Sequence, residues 1–231
     1  MKDCFIKKAH LYFNTDIIDI ISTKRVGNTI DMFKYIVNSI DEDMCNQVFL
    51  QSKTCLQRKI SRTFFNYILC TYDKRILELC RKNFSTEPTL EAFELFLELL
   101  FYVGKGRKAR SLSHIDEVRK IYQGTLKKGA LSDKQKTILS SFNHNEGIVI
   151  LQCFDSARED EALNRESCMI DGIGLDKLCN EIGGHKTGLD DWGETKLKNY
   201  GMMLLYKVFL QYISEETKPI KLDEILVRKS K

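Results

Sequence analysis

The chain has 231 residues, of which 43% are hydrophobic and 29% are charged, and its formal net charge at pH 7 is +4. This composition is typical of a globular protein with a substantial core and excludes a polycation or a largely disordered chain. It has no run of about 18 apolar residues and no apolar signal-peptide core near Met1, so we expect neither a membrane span nor a leader.

The cysteines are spread along the chain without a Cys-x-x-Cys pair, and several lie in apolar runs. This distribution favours reduced, mostly buried thiols and a cytoplasmic or nuclear location. A zinc site is the sharper interpretation of the same residues. The eight cysteines are Cys4, Cys45, Cys55, Cys70, Cys80, Cys153, Cys168 and Cys179.

The first 60 residues show helix-like apolar spacing in two segments, 16–21 and 30–40. The acidic run 41–43 predicts a break or an exposed turn after the second segment. The segment contains no recognisable motif. We therefore expect residues 1–60 to form a helical N-terminal extension, which could dock a protein partner, ahead of a domain over residues 61–231.

The next elements follow from residue type and turn signals. Residues 63–72 are aromatic and β-branched, which predicts a buried strand. A short helix is expected over 73–80 and a loop over 83–89. Thr89 is placed to cap a helix over 90–99.

The stretch 100–114 is the most informative of the chain. Its apolar start, ending in Tyr102-Val103-Gly104, predicts a strand that two glycines then break, and Ser113 is a candidate cap for a helix to about residue 126. A strand that opens onto cations before a helix N-terminus is a plausible place to hold a phosphate. Arg110 and His114 are four residues apart and so share a helix face.

The basic residues are concentrated rather than dispersed. Residues 102–128 carry eight lysines and arginines against two acids, and residues 53–62 carry four against none. Two such segments on a nearly neutral chain indicate a surface that faces a polyanion. A merely solvated face is the alternative interpretation.

The second half of the chain alternates helices with one more strand. The predicted elements are a helix capped by Ser132 to about residue 139, a turn over 143–147, a strand over 147–154, a helix over 156–171, a loop over 180–191 and a long helix over 195–215. Three short strands without regular βαβ alternation predict an α+β fold, with a small, mainly antiparallel sheet flanked by helices.

The order of the polar residues is more informative than any one of them. Two strands each present a tyrosine, the next helix begins with an arginine and a histidine, a later helix carries a glutamate, and an asparagine follows. In chain order these residues are Tyr67, Tyr102, Arg110, His114, Glu166 and Asn180. This arrangement resembles the GIY-YIG nuclease superfamily.

The resemblance is closer to one branch, the nuclease domain of the animal ankyrin-repeat and LEM-domain endonucleases, over roughly residues 61–226. It rests on Phe-Tyr-Val-Gly-Lys-Gly at 101–106, Arg-Glu-Ser-Cys-Met-Ile-Asp-Gly-Ile-Gly-Leu at 165–175 and Gly-Gly-His-Lys-Thr-Gly at 183–188. Phe65-Asn66 replaces the usual Gly-Ile of the first motif. We recognise no ankyrin repeat or LEM domain, so the resemblance implies nothing about residues 1–60.

Phosphodiester hydrolysis needs an activated water, stabilisation of phosphate charge and help for the leaving oxygen. The resemblance implies that Glu166 holds one Mg²⁺ or Mn²⁺ and that Arg110 clamps phosphate oxygens. Tyr67 is the preferred general base, hydrogen-bonded to His114, with His114 itself as the rival base. Tyr102 would orient the water or the phosphate. Without the motif, these residues would pass for core aromatics and surface charges.

Asn180 is expected to hold Glu166 or the backbone near it. The residues expected to contact DNA are Lys105, Arg107, Lys108, Arg110 and His185. Together these features predict a metal-dependent DNA endonuclease that uses one metal ion, with the preference for branched or distorted DNA that the resemblance implies. The alternatives are a nucleic-acid-binding module that does not cleave and a helical interaction protein.

Overall fold

The structure is a computed structural model that describes residues 29–52, 62–81, 90–125, 131–215 and 217–227. Within these ranges it contains eight α-helices and three strands. The helices are α1 (Thr29–Ser52), α2 (Arg75–Arg81), α3 (Leu90–Leu99), α4 (Ser113–Tyr122), α5 (Asp133–Asn143), α6 (Glu159–Ile173), α7 (Glu194–Ser214) and α8 (Leu222–Val227). None of them is both long enough and apolar enough to cross a membrane.

The three strands form one antiparallel sheet in the order β2-β1-β3. The strands are β1 (Phe64–Thr71), β2 (Leu100–Arg107) and β3 (Ile148–Ala157). The central strand β1 is buried along most of its length because its aromatic and branched side chains are covered on both faces. Its residue Tyr67 pairs with Gly104 of β2 and with Gln152 of β3. The predicted α+β fold and mainly antiparallel sheet are confirmed.

The alternation of side chains along β1 divides the interior into two clusters. Ile68 and Cys70 belong to the larger cluster, which is built with α1, α2, α3, α6 and α7. Phe65, Tyr67 and Leu69 belong to the smaller one, with α4, α5 and α8. The sheet is therefore a middle layer, and Tyr67 faces the smaller cluster.

Helix α1 is fastened to α6 and α7 by a buried charged group. Asp41 accepts hydrogen bonds from Arg165 Nε at 2.8 Å and Nη2 at 2.9 Å, and the Tyr200 hydroxyl donates to the same carboxylate. Trp192 Nε1 donates to Gln47 Oε1 at 2.7 Å. The extension predicted over residues 1–60 thus includes a helix that packs against α6 and α7, while a docking role for it stays a prediction.

Several predicted boundaries are wrong for physical reasons. The acidic run 41–43 lies inside α1 because Asp41 is neutralised by distant partners. Strand β2 does not break at its glycines but pairs with β1 as far as Arg107. Ser113 does not cap α4: Leu112 holds that position after a 3-10 turn over Arg110–Leu112, and Ser113 Oγ donates to the carbonyl of Arg110.

Helix α6 begins at Glu159 instead of residue 156, because Ser156 is still in β3 with a positive φ of 59°. Helix α5 begins as predicted with a capping box, in which Ser132 Oγ accepts from the N–H of Gln135 and the Gln135 side chain accepts from the N–H of Ser132. The predictions for 16–21, for the loop 83–89 with its cap Thr89, and for most of the basic segment 53–62 lie outside the described residues.

The Asp41 group gives a direct test of how α1 is held. We expect Asp41→Asn to lower the free energy of unfolding by about 3–5 kcal/mol, because Arg165 would keep a buried charge without its counter-ion. The side chains of Asp41 and Arg165 are only 16% and 8% exposed. Urea unfolding followed by circular dichroism measures the change.

The matched control is Glu194→Gln, which breaks an exposed pair with Lys198 on the surface of α7. Exposed pairs contribute little, so the midpoint of the control should stay close to that of the wild type. An equal loss in the two variants would contradict the role assigned to Asp41.

Candidate active site

A tyrosine from β1 and a histidine from α4 form the buried centre of the site. The Tyr67 hydroxyl lies 2.8 Å from His114 Nε2, and both residues are at most 2% exposed. The ring of Tyr102 lies beside them, 6.1 Å from Tyr67 and 5.2 Å edge-on from His114 between centroids. The structure thus brings three of the predicted site residues into contact.

The glycines of β2 are required by this packing. A Cβ atom on Gly104 would lie 2.6 Å from Tyr67 Cζ and 2.9 Å from Tyr102 Cε1, which is closer than real Cβ atoms come. A Cβ atom on Gly106 would lie 2.7 Å from the Cβ of Arg110. These two positions therefore let the tyrosines and the arginine approach the strand, which is the reason for glycine there.

Burial keeps both members of the tyrosine–histidine pair uncharged. It raises the pKa of Tyr67 well above its ordinary value of 10, although the nearby Arg110 acts in the opposite direction. Burial, helped by the charges of Lys134 and Arg110, lowers the pKa of His114 to about 4. At neutral pH the pair is a phenol hydrogen-bonded to a neutral imidazole, whose Nδ1 finds no partner among the described residues.

Glu166 projects from α6 into a cleft of about 680 Å³. Its Oε1 accepts a hydrogen bond from the backbone N–H of Lys105 at 3.2 Å. Burial raises the pKa of this carboxyl, and the charge and N–H of Lys105 partly offset that effect. A partly desolvated carboxylate with open space in front of it is well placed to bind a cation.

The cleft gathers predicted residues from three parts of the chain. Tyr102 and Lys105 come from β2, Glu166 from α6, and Asn180 and His185 from the irregular segment before α7. The other lining residues are Leu131, Ser132, Asp133, Lys134, Leu163, Ile170, Leu178, Cys179, Glu181, Ile182 and Gly184.

Asn180 clamps the strand that carries Tyr102. Its Oδ1 accepts from the N–H of Val103 at 3.1 Å, and its Nδ2 donates to the carbonyl of Val103 at 2.7 Å. Val103 precedes by two residues the Lys105 N–H that contacts Glu166. Asn180 therefore holds the backbone of β2 two residues before the N–H that contacts Glu166.

The basic residues near the site differ in their exposure and in whether they already form an ion pair. Lys105 Nζ pairs with Glu159 at 2.7 Å and also lies 5.2 Å from the ring of Phe64. Arg107 and Lys108 are exposed at the end of β2. Arg110 is exposed on the 3-10 turn and donates to Ser113 Oγ at 3.3 Å. Its charge acts on Tyr67, Tyr102 and His114, so it lies near the three rings.

Two residues of the site were not predicted from the sequence. Lys134 lines the cleft with its Nζ 4.0 Å from the centroid of the Tyr102 ring. Its position in the first turn of a capped helix, where a cation is unfavourable, was the available signal. Asn66 is fully buried and donates to the carbonyl of Ala162 at 2.8 Å, so the departure from Gly-Ile ties β1 to α6.

The side chains fit one Mg²⁺ better than a zinc site. Among the described residues no group of three His, Cys, Asp or Glu side chains could hold a metal. The six described cysteines are free thiols, and Cys4 and Cys55 lie outside that part of the chain. Mg²⁺ keeps several waters and is often bound through one or two carboxylates, which is what Glu166 in a roomy cleft offers.

The low pKa of His114 predicts a specific dependence of stability on pH. Between pH 4 and 6.5 the unfolded chain binds more protons at this residue than the folded one, so stability rises with pH across that window. We expect His114→Asn to reduce the slope by up to about 1.4 kcal/mol per pH unit. Urea unfolding at a series of pH values measures it.

Tyr67→Phe is the companion variant in these measurements. It removes the hydrogen bond but leaves the histidine buried, and burial is the main cause of the shift. Its slope should therefore match that of the wild type. If His114→Asn shows the same dependence of unfolding free energy on pH as the wild type, the pKa of His114 is not lowered in the folded protein.

Comparison with known proteins agrees with this geometry. A profile of the LEM-3-like GIY-YIG domain matches residues 64–226. The mouse ankyrin repeat and LEM domain-containing protein 1 is 28% identical over 82% of this chain and 35% of its own length, and the human protein is 28% identical over 81% and 31%. The Caenorhabditis elegans homologue is 32% identical over 48% of this chain and 16% of its own length.

The chain thus spans about a third of the mouse and human relatives. No solved structure gives a significant match. The resemblance found in the motif residues is confirmed by the family match, which covers all six of them. The chain belongs to the LEM-3-like GIY-YIG family of nuclease domains.

Proposed function

We propose that this protein is a metal-dependent endodeoxyribonuclease that hydrolyses phosphodiester bonds with a single Mg²⁺ or Mn²⁺. The observation that carries the proposal is the shared location of the Tyr67–His114 pair and the Glu166 carboxylate around Tyr102. One group of residues can take a proton, and the other can hold a cation. A module that only binds DNA would need neither of them.

The water is activated by the tyrosine–histidine pair. Because both groups are neutral, the phenol can pass its proton to His114 Nε2, 2.8 Å away, as it takes one from the attacking water. Tyr67 then acts as the base and His114 as the acceptor behind it. The lowered pKa keeps His114 uncharged at neutral pH, so that Nε2 is free to accept that proton, and it also makes the imidazole a weaker base than a solvated histidine.

The phosphate is held by Arg110. Arg110 is exposed, its charge acts on Tyr67 and Tyr102, and its guanidinium can donate two parallel hydrogen bonds to non-bridging oxygens. Hydrogen-bond donors aimed at the charge that develops in the transition state commonly lower the barrier by about 3–4 kcal/mol each. Tyr102, whose ring contacts both Lys134 and His114, is proposed to orient the phosphate or the water.

Glu166 is the residue proposed to hold the metal ion. When bound, Mg²⁺ supplies Lewis-acid stabilisation of the phosphate and of the leaving oxygen. The Lys105 N–H fixes one carboxylate oxygen of Glu166, and Asn180 fixes the strand that provides this N–H. Glu166 also lines the cleft, which leaves room for an ion.

The DNA-contacting surface is proposed to include Lys105, Arg107, Lys108, Arg110 and His185. Four of these residues lie on β2 or in the turns after it, and His185 lines the cleft from the segment before α7. The preference for branched or distorted DNA is part of the proposal and rests on the family resemblance. The suggestion that a protein partner binds residues 1–60 is based only on the absence of a recognisable motif in that part of the sequence.

The first test is Glu166→Gln. Purified protein is incubated with labelled linear, flap and four-way-junction DNA in Mg²⁺, in Mn²⁺ or in EDTA. We expect the wild type to cut in metal only, with flaps and junctions cut faster than plain duplex. The variant should lose at least about 100-fold in rate because the amide cannot replace a carboxylate ligand.

Glu146→Gln is the control, because Glu146 is an exposed carboxylate in the turn before β3. It should cut like the wild type. Cutting by the wild type in EDTA, or full cutting by Glu166→Gln, would contradict the one-metal proposal. Binding without cutting by the wild type would select the non-cleaving module instead.

The second test asks whether Tyr67 and His114 act as a unit. Tyr67→Phe and His114→Asn should each lower the cleavage rate by about 100- to 10,000-fold. The double variant should lose little more than the worse single one, because each change already stops the proton transfer. The double-mutant cycle is measured from single-turnover cleavage rates on junction DNA. If the rate loss of the double variant equals the product of the two single losses, the two residues act independently and the proposed unit is wrong.

A further inference from the structure

Lys134 is a cation of the cleft to which the motif residues assign no role. It lies in the first turn of α5, its side chain is half-buried, and its Nζ is 4.0 Å from the centre of the Tyr102 ring. It lines the same cleft as Glu166 but comes from a different element. The cleft therefore has a cation on the wall formed by α5.

Its charge is poorly compensated. In the part of the chain that the structure describes, Lys134 forms no ion pair with a carboxylate, and Glu117 and Glu181 attract it only over a longer range. Glu117 instead accepts a hydrogen bond from the Gln135 side chain at 3.3 Å. Lys136, two residues further along α5, pairs with Asp133 at 2.8 Å and is exposed.

The surroundings of Lys134 oppose its positive charge. Burial and the charge of Arg110 lower its pKa, and the first turn of a helix is the positive end of the helix dipole. The aromatic face of Tyr102 offsets part of this cost through a cation–π contact. A lysine kept in such a place is stabilised most by an anion that enters the cleft.

We propose that Lys134 binds a phosphate of the DNA strand next to the scissile phosphate and so fixes the register of the strand in the cleft. This inference rests on the proposed nuclease function. Arg110 and Lys134 then hold neighbouring phosphates on two sides of Tyr102. Phosphate contacts of this kind position a nucleic acid without reading its sequence. A lysine ammonium stacked on one face keeps its other side free for such a contact.

The test measures the binding of labelled four-way-junction DNA in EDTA at several salt concentrations, so that no cutting occurs. Lys134→Met keeps the apolar stem over Tyr102 but removes the charge. It should weaken binding about 5- to 10-fold and reduce the slope of log affinity against log salt by about one, the contribution of one phosphate contact. Lys134→Arg should keep the slope, and Lys136→Met is the matched control on the same helix.

Thermal melting of each variant checks that it folds. A wild-type slope and affinity in Lys134→Met, in a protein whose wild type cuts DNA, would overturn the inference and leave the nuclease function standing. Equal losses in Lys134→Met and Lys136→Met would also overturn it, since the effect would then be general charge. Wild-type protein that neither binds nor cuts DNA would overturn both.

Discussion

The close contact between α6 and α7 fixes where Glu166 stands. A Cβ atom on Gly201 of α7 would lie 1.8 Å from the carbonyl oxygen of Cys168, so the two helices touch backbone to backbone at this point. Cys168 follows Glu166 by two residues. Any side chain at Gly201 would push α6 away from α7 and move the carboxylate relative to β2. The site therefore depends on a contact in the core that takes no part in the chemistry.

The remaining faces of α6 organise the rest of the cleft. Asn164 pairs with both the N–H and the carbonyl of Thr187, and Ser167 Oγ donates to the carbonyl of Gly183 at 3.0 Å. Gly184 has a φ of +79°, and a Cβ on it would lie 3.0 Å from Ser167. The segment before α7 has no regular structure, yet it is laid onto α6 by these bonds. The two motif segments at 165–175 and 183–188 therefore form one unit, because the second packs on the face of α6 that the first provides.

The elements that depend on local sequence patterns could be predicted from the sequence. The features that depend on contacts between residues far apart in the chain could not. Strand and helix periodicity placed the three strands and the long helix correctly, and the order of the motif residues identified the family. The acidic run containing Asp41 was misread because its partner Arg165 lies 124 residues away. Gly104 was misread as a strand break because its function is to admit the ring of Tyr67 from the neighbouring strand. Lys134 was missed because only the fold carries it to Tyr102.

The charged groups around Tyr102 are unfavourable in the free protein, and the proposed phosphate and metal ligands would stabilise them. Burial disfavours the charged forms of Tyr67, His114 and Glu166, and the neighbouring cations Arg110 and Lys134 disfavour each other. In the proposed complex, the neighbouring phosphates held by Arg110 and Lys134 stabilise these two cations, and a metal ion beside Glu166 stabilises its carboxylate. Each of these charges then costs less than it does alone. In the proposed mechanism little reorganisation is needed when charge develops on the phosphate, because Asn180 already holds β2 and the N–H of Lys105 already holds Glu166 before the substrate enters.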